Sequence, residues 1–160
     1  MAMVYALNDI LRVRAAREEK SELCLGQAKE CLRSAEIKVE REDARFFSYR
    51  QTAKIRRKEL FDGVIGKVVS IRDLNLLNAG LANIVREGAE IKNLRDAAVS
   101  NLAVKRTEVE SARIRYFGAR RECEKIREHK ADWFLEQREQ EDRQCDAEMD
   151  EFKTFLGKGK

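Results

Sequence analysis

The sequence has no proline in 160 residues, a single histidine, a single tryptophan, only 7% aromatics and 8 glycines. At ordinary usage of about 5%, a chain of this length would carry about eight prolines. Their absence argues against a compact mixed fold with many tight turns. It suits long uninterrupted helices, because proline inside a helix costs roughly 3 kcal/mol. Long hydrophobic runs are also missing. The longest wholly apolar stretch is residues 1–7, against the ~20 residues a membrane-spanning helix needs. It lacks the basic lead of a signal peptide as well. The expected address is the cytoplasm, with no integral membrane segment.

The combinations that carry chemistry are equally sparse. Cys24, Cys31, Cys123 and Cys145 form no CxxC pair, so metal and redox readings are weak and reduced thiols on helix faces are expected. His129 has no nucleophile or metal ligand at useful spacing on its own helix and reads as a lone exposed histidine. Phosphate-cradling GxxxxGK[ST] and GxGxxG motifs are absent,. Acidic pairs at helical spacing are many. They sit among lysine and arginine and read as a solvated outer face. No catalytic constellation emerges, so neither an enzyme nor a cofactor is expected.

What the sequence has in abundance is charge, 39% against roughly 25% in an average soluble protein,. The 33 basic and 29 acidic residues nearly cancel, and 43% of the chain is apolar, which excludes simple disorder,. The apolar residues repeat every seven. In the row Val4, Leu11, Glu18, Leu25, Leu32, Val39, Phe46, Ala53 and Leu60, eight of nine are apolar. The companion row from Leu7 to Gly63 holds four of nine. Farther on, the row Leu77, Ile84, Ile91, Ala98, Lys105, Ala112, Ala119, Ile126, Trp133, Gln140 and Ala147 is apolar at nine of eleven positions. Its companion, from Leu81 to Gln144, is apolar at five of ten. A 3.5-residue period means helices winding left-handed about a partner. Diluted companion rows mean modest stability.

The centre differs in texture. Gly63, Gly66, Gly80 and Gly88 are half of the glycine, and Val64, Ile65, Val68, Val69 and Ile71 are β-branched,. Ser70 followed by Asp73 resembles a capping box whose acid is one carbon short,. The reading is one coiled-coil hairpin over residues 1–160. The first helix spans about 3–62, the connection about 63–70, and the second helix about 71–155, with a break near 75–80 an option. Residues 156–160 form a frayed tail. One connection between two long helices implies an antiparallel all-α hairpin. Trp133 then falls near Leu7 or Leu11, and the polar run 136–144 overhangs.

A narrow hairpin has little interior, so three apolar clusters stand out as partner surfaces. The first includes Val4, Tyr5, Leu7, Ile10, Leu11 and Val13, with Arg14 and Arg17 beside it. The second, at the connection, includes Phe61, Val64, Ile65, Val68, Val69, Leu74, Leu76 and Leu77. The third is Trp133, Phe134 and Leu135, with Phe152, Phe155 and Leu156 beyond. Self-packing within the hairpin or a dimer is the alternative use of each. The basic runs Arg56-Arg57-Lys58 and Arg120-Arg121 are interleaved with acids and lack flanking aromatics for base stacking,. Nucleic acid is not an expected partner.

The opening Tyr5-Ala6-Leu7-Asn8-Asp9-Ile10-Leu11-Arg12-Val13-Arg14-Ala15-Ala16-Arg17-Glu18 resembles that of type III secretion stalk proteins. There an aromatic or apolar residue, a leucine and an apolar pair precede basic residues and a charged helix. With two long charged helices and one connection, the chain resembles the YscO family of injectisomes, related to the flagellar protein FliJ. The resemblance implies a non-enzymatic central stalk and adaptor of a secretion ATPase hexamer, peripheral to the inner-membrane apparatus. It also implies contact with the export-gate protein, and with secretion chaperones or the needle-length regulator. Residues 5–17 with about 125–136 would enter the ATPase ring, and the connection would face the gate. A generic coiled-coil scaffold or dimerising adaptor is the alternative, and a nucleic-acid-associated rod the third.

Overall fold

The computed structural model describes residues 5–157, with side chains for residues 5–151. It contains two helices, α1 (Asn8–Asp62) and α2 (Ile71–Gly157), joined by residues 63–70. There is no strand among the described residues. The fold is the all-α, two-helix antiparallel coiled-coil hairpin with a central connection that the composition implies. Two local expectations change. Residues 5–7 lie ahead of α1 and not within it, and Asn8 N–H donates to the Tyr5 carbonyl at 3.1 Å. In addition, α2 passes through residues 75–80 without a break.

The start of α2 is a reciprocal cap. Ser70 N–H donates to Asp73 Oδ2 at 2.9 Å and its hydroxyl donates to the same oxygen at 2.7 Å, while Asp73 N–H donates to Ser70 Oγ at 3.2 Å. These bonds satisfy amides that a helix N-terminus would leave unpaired. Gly63 N–H still bonds back to the Glu59 carbonyl, and Ile65 N–H to that of Phe61. The chain then turns at Gly66, with φ +76°. That left-handed conformation suits glycine because a Cβ would crowd the following carbonyl.

The described chain separates into two compact units, Met1–Cys24 with Arg113–Lys160, and Leu25–Ala112. In the second of these, Leu25, Ala35, Ile84, Ala98 and Ala112 are buried. Leu32, Val39, Phe46, Tyr49, Ala53, Leu60, Leu81, Ile91, Leu102 and Val109 are half-buried. Their spacings are three, four or the sum of the two, seven, as a left-handed seam demands,. Small residues are the best covered, so the helix backbones come close there. The antiparallel sense is visible in the pairs: Leu60 meets Gly80, Tyr49 meets Gly88, and Arg95 lies over Phe46 and pairs with Asp43. In the other unit, Cys123 is wholly buried and Tyr5 is buried. Leu7, Leu11, Tyr116, Ala119, Ile126 and Trp133 are half-buried.

Candidate docking surfaces

In the unit that contains the chain's beginning, an aromatic cluster forms around Tyr5. Its ring lies 5.5 Å from Trp133 and 5.8 Å from His129, centroid to centroid. The tyrosine oxygen and His129 Nδ1 are hydrogen-bonded at 2.7 Å. Trp133 meets Phe134 edge to face at 5.0 Å. Lys130 Nζ donates to Asn8 Oδ1 at 2.9 Å and stands 5.9 Å from the Tyr5 ring centre. His129 is thus exposed but engaged, and Trp133 lies against Tyr5. The seam here carries charge. Arg14 pairs with Glu122, and Arg127 reaches Glu18 at 3.1 Å. Burial, reinforced by the hydrogen bond with Glu18, pushes the Cys123 thiol pKa up,.

The residues singled out from sequence divide by exposure. Tyr5 is packed away at 4% exposed, while Leu7, Leu11 and Arg14 are half-buried and Arg17 faces solvent. Ile10 and Val13 remain open at 45% and 52%, beside the seam and not in it. Phe134 and Leu135 are also exposed, and they line a hollow of about 460 Å³ with Ala131, Arg138 and Glu141. Every residue from 138 to 151 is exposed. Val4 lies outside the described residues, and Phe152, Phe155 and Leu156 lie outside the described side chains.

Around the connection, Phe61, Ile65, Val68, Ile71, Leu74 and Leu76 are exposed. Val64 and Val69 are half-buried and line a hollow of about 380 Å³ with Leu60, Leu76 and Leu77. These apolar side chains cap the hairpin end without being covered by it.

Sequence reasoning missed a further surface, in the Leu25–Ala112 unit. A groove of about 560 Å³ is lined by Phe46, Tyr49, Arg50, Ala53, Lys54, Arg57, Lys58, Phe61, Ile84, Val85 and Gly88. It has an apolar floor and a basic rim. The signal was present as cations at positions i, i+4, i+7 and i+8 from Arg50, which share one helix face. The adjacent Arg56 belongs to a different hollow with Glu59, Gly80 and Glu87, and pairs with Glu87 at 3.1 Å. The sequence run Arg56-Arg57-Lys58 therefore splits between two surfaces.

Among the described residues, no group of His, Cys, Asp and Glu could hold a metal ion, and no helix is long and apolar enough to cross a membrane. The class of protein so defined is a helical hairpin whose distinctive features are exposed apolar and charged surfaces. The model of the family described as type III secretion protein YscO matches residues 7–154. The chain belongs to that family, and its role lies in type III secretion. A solved structure described as a YscO homologue, CT670 from Chlamydia trachomatis, is similar with a TM-score of 0.79 and 22% identity over 97% of this chain and 96% of that one. At this identity the likeness speaks for the fold. No curated protein matches the chain.

Proposed function

We propose that this protein is the non-enzymatic central stalk and adaptor of a type III secretion export ATPase. It would couple the ATPase ring to the export gate and bind secretion chaperones or the needle-length regulator. The observation that carries this reading is membership of the YscO family over nearly the whole hairpin. The surface chemistry fits the task. A shaft turning or re-engaging inside a ring needs charged faces that exchange contacts readily, and exposed ion pairs are each worth only about 0–1 kcal/mol. In this reading residues 5–17 with about 125–136 engage the ring, peripheral to the membrane on the cytoplasmic side. The exposed apolar residues around Val68 face the gate.

The test uses Ile10→Asp with Val13→Asp, two exposed positions whose substitution leaves the seam intact. Full-length protein is added to the purified export ATPase and hydrolysis is followed. The expected outcome is stimulation by the wild type and weaker stimulation by the variant at unchanged helicity. Equal stimulation by both would remove this end from the ring, and none by either would remove the stalk reading.

A further inference from the structure

We propose that the groove between Phe46 and Gly88 is a docking site for an acidic amphipathic helix of another protein, which lies along the hairpin as a third helix. The proposal rests on this groove and its charge, and does not depend on the stalk reading.

The floor is apolar, with Tyr49, Ala53, Ile84 and Gly88 at its base and Phe61 and Val85 on its sides. Val85 is 63% exposed and Phe61 40%, so the hairpin leaves them for something else to cover. The rim is Arg50, Lys54, Arg57 and Lys58, and no acidic residue lines the groove. None of these four makes an ion pair among the described residues, whereas Arg56, facing the other hollow, is paired. Four like charges share one helix face with no internal counter-charge, and like charges at helical spacing repel. A ligand bearing carboxylates relieves that repulsion.

The layout selects a helix. From Phe46 to Phe61 the groove follows α1 for roughly 22 Å at 1.5 Å per residue, the length of a segment of about 15 residues. A groove between two antiparallel helices is where a third helix packs its apolar stripe. The cations are spread over Arg50 to Lys58, about 12 Å of helix at 1.5 Å per residue,, a row that suits a line of carboxylates. A second copy of this chain carries an acid-rich stretch of its own: residues 136–151 hold eight acids against Arg138 and Arg143, and Cys145, Met149, Phe152 and Leu156 follow at helical spacing,. Self-association through the groove is therefore the rival outcome that the test below separates.

The probe is a labelled synthetic amphipathic helix of about 15 residues, with leucines on one face and glutamates beside them. Its twin has lysine at every glutamate position. Binding to the full chain is read by fluorescence anisotropy. The expected result is at least about tenfold tighter binding of the glutamate peptide, weakening with salt. Binding should fall about tenfold in K54E/R57E/K58E and also in Val85→Gln, which removes apolar surface without adding charge, all at exposed positions. The control R115E/R120E/R121E, in the other unit, should bind as the wild type does. Absent or charge-blind peptide binding overturns the proposal, as does equal loss in the control. A concentration-dependent dimer abolished by K54E/R57E/K58E would give the groove to a second copy. Sedimentation with phosphatidylglycerol vesicles in place of peptide binding would give it to a lipid surface. Both results overturn the proposal.

Discussion

Four helical glycines provide a test of how the seam is packed. A helix-interior glycine replaced by alanine gains about 1 kcal/mol if nothing obstructs the new methyl group. At Gly26 and Gly118 a Cβ would meet no atom within 4 Å, so each substitution should realise that gain in full. At Gly80 the Cβ would stand 3.0 Å from Leu60 Cδ1, the far end of a flexible side chain that can shift, so part of the gain survives. At Gly88 it would stand 3.1 Å from Tyr49 Cε1. That ring is tethered because its hydroxyl donates to the Ile84 carbonyl, and overpacking a fitted site costs about 1–3 kcal/mol. The alanine variants should therefore rank Gly118 and Gly26 highest, then Gly80, with Gly88 neutral or destabilised. Urea titration followed by circular dichroism at 222 nm reads the differences, and comparison of m-values checks that each variant unfolds over the same surface. In a Tyr49→Leu background the obstruction is gone, so G88A should recover its gain, a coupling that a double-mutant cycle isolates. Equal gains at all four sites would mean that the seam does not close on Gly80 and Gly88, and the packing argument would fail.

Three further outcomes follow from particular side chains. Cys123 is sealed and its thiol pKa is raised by burial, while Cys24, Cys31 and Cys145 are exposed. A thiol-exchange titration of the native chain should show three fast sites and one that waits for denaturant, and four fast sites would refute the burial. The amide and hydroxyl of Ser70 hold the Asp73 carboxyl below its ordinary range. Its cap contribution is therefore present above the unfolded value of about 3.9 and is lost as pH falls through the folded one. Asp73→Asn should flatten the acid side of the stability profile, and an unchanged profile contradicts the cap. Glu42 Oε2 is shut from solvent without a hydrogen bond, and its nearest cation is Arg45 at 3.8 Å. Glu42→Leu should stabilise the Leu25–Ala112 unit by about 1–3 kcal/mol in urea titration, and a loss would show that the carboxylate is satisfied.

The fold was legible because a two-helix seam writes itself into the sequence at every seventh residue. Leu25, Ala35, Ile84, Ala98, Ala112 and Cys123 all stand on the heptad rows and are all buried. The central glycines were less transparent. Grouped in sequence with Gly63 and Gly66 as a change of texture, Gly80 and Gly88 sit inside α2 where a partner side chain needs room. Sequence gives the same letter to a glycine that bends the chain and to one that admits a neighbour, and only the facing residue tells them apart. Gly66 is the bending kind, with its positive φ. Tyr5 shows the same ambiguity from the other side. Read as part of an exposed apolar end, it is consumed by His129 and Trp133, residues whose proximity no local pattern announces.

The surfaces were harder to read than the seam because repetition informs only about the face that repeats. Residues off the seam follow no shared period, so their grouping depends on how α1 and α2 are rotated against one another. Arg56, Arg57 and Lys58 are consecutive in the chain, yet consecutive helical residues point about 100° apart. One is neutralised by Glu87 in a mixed hollow, while the other two join Arg50 and Lys54 around an apolar floor contributed partly by α2. A basic run in a heptad protein thus carries no fixed electrostatic meaning until the partner helix decides which cations meet a carboxylate. In the Leu25–Ala112 unit that decision leaves one face paired and the other, at the groove, with a rim of one sign.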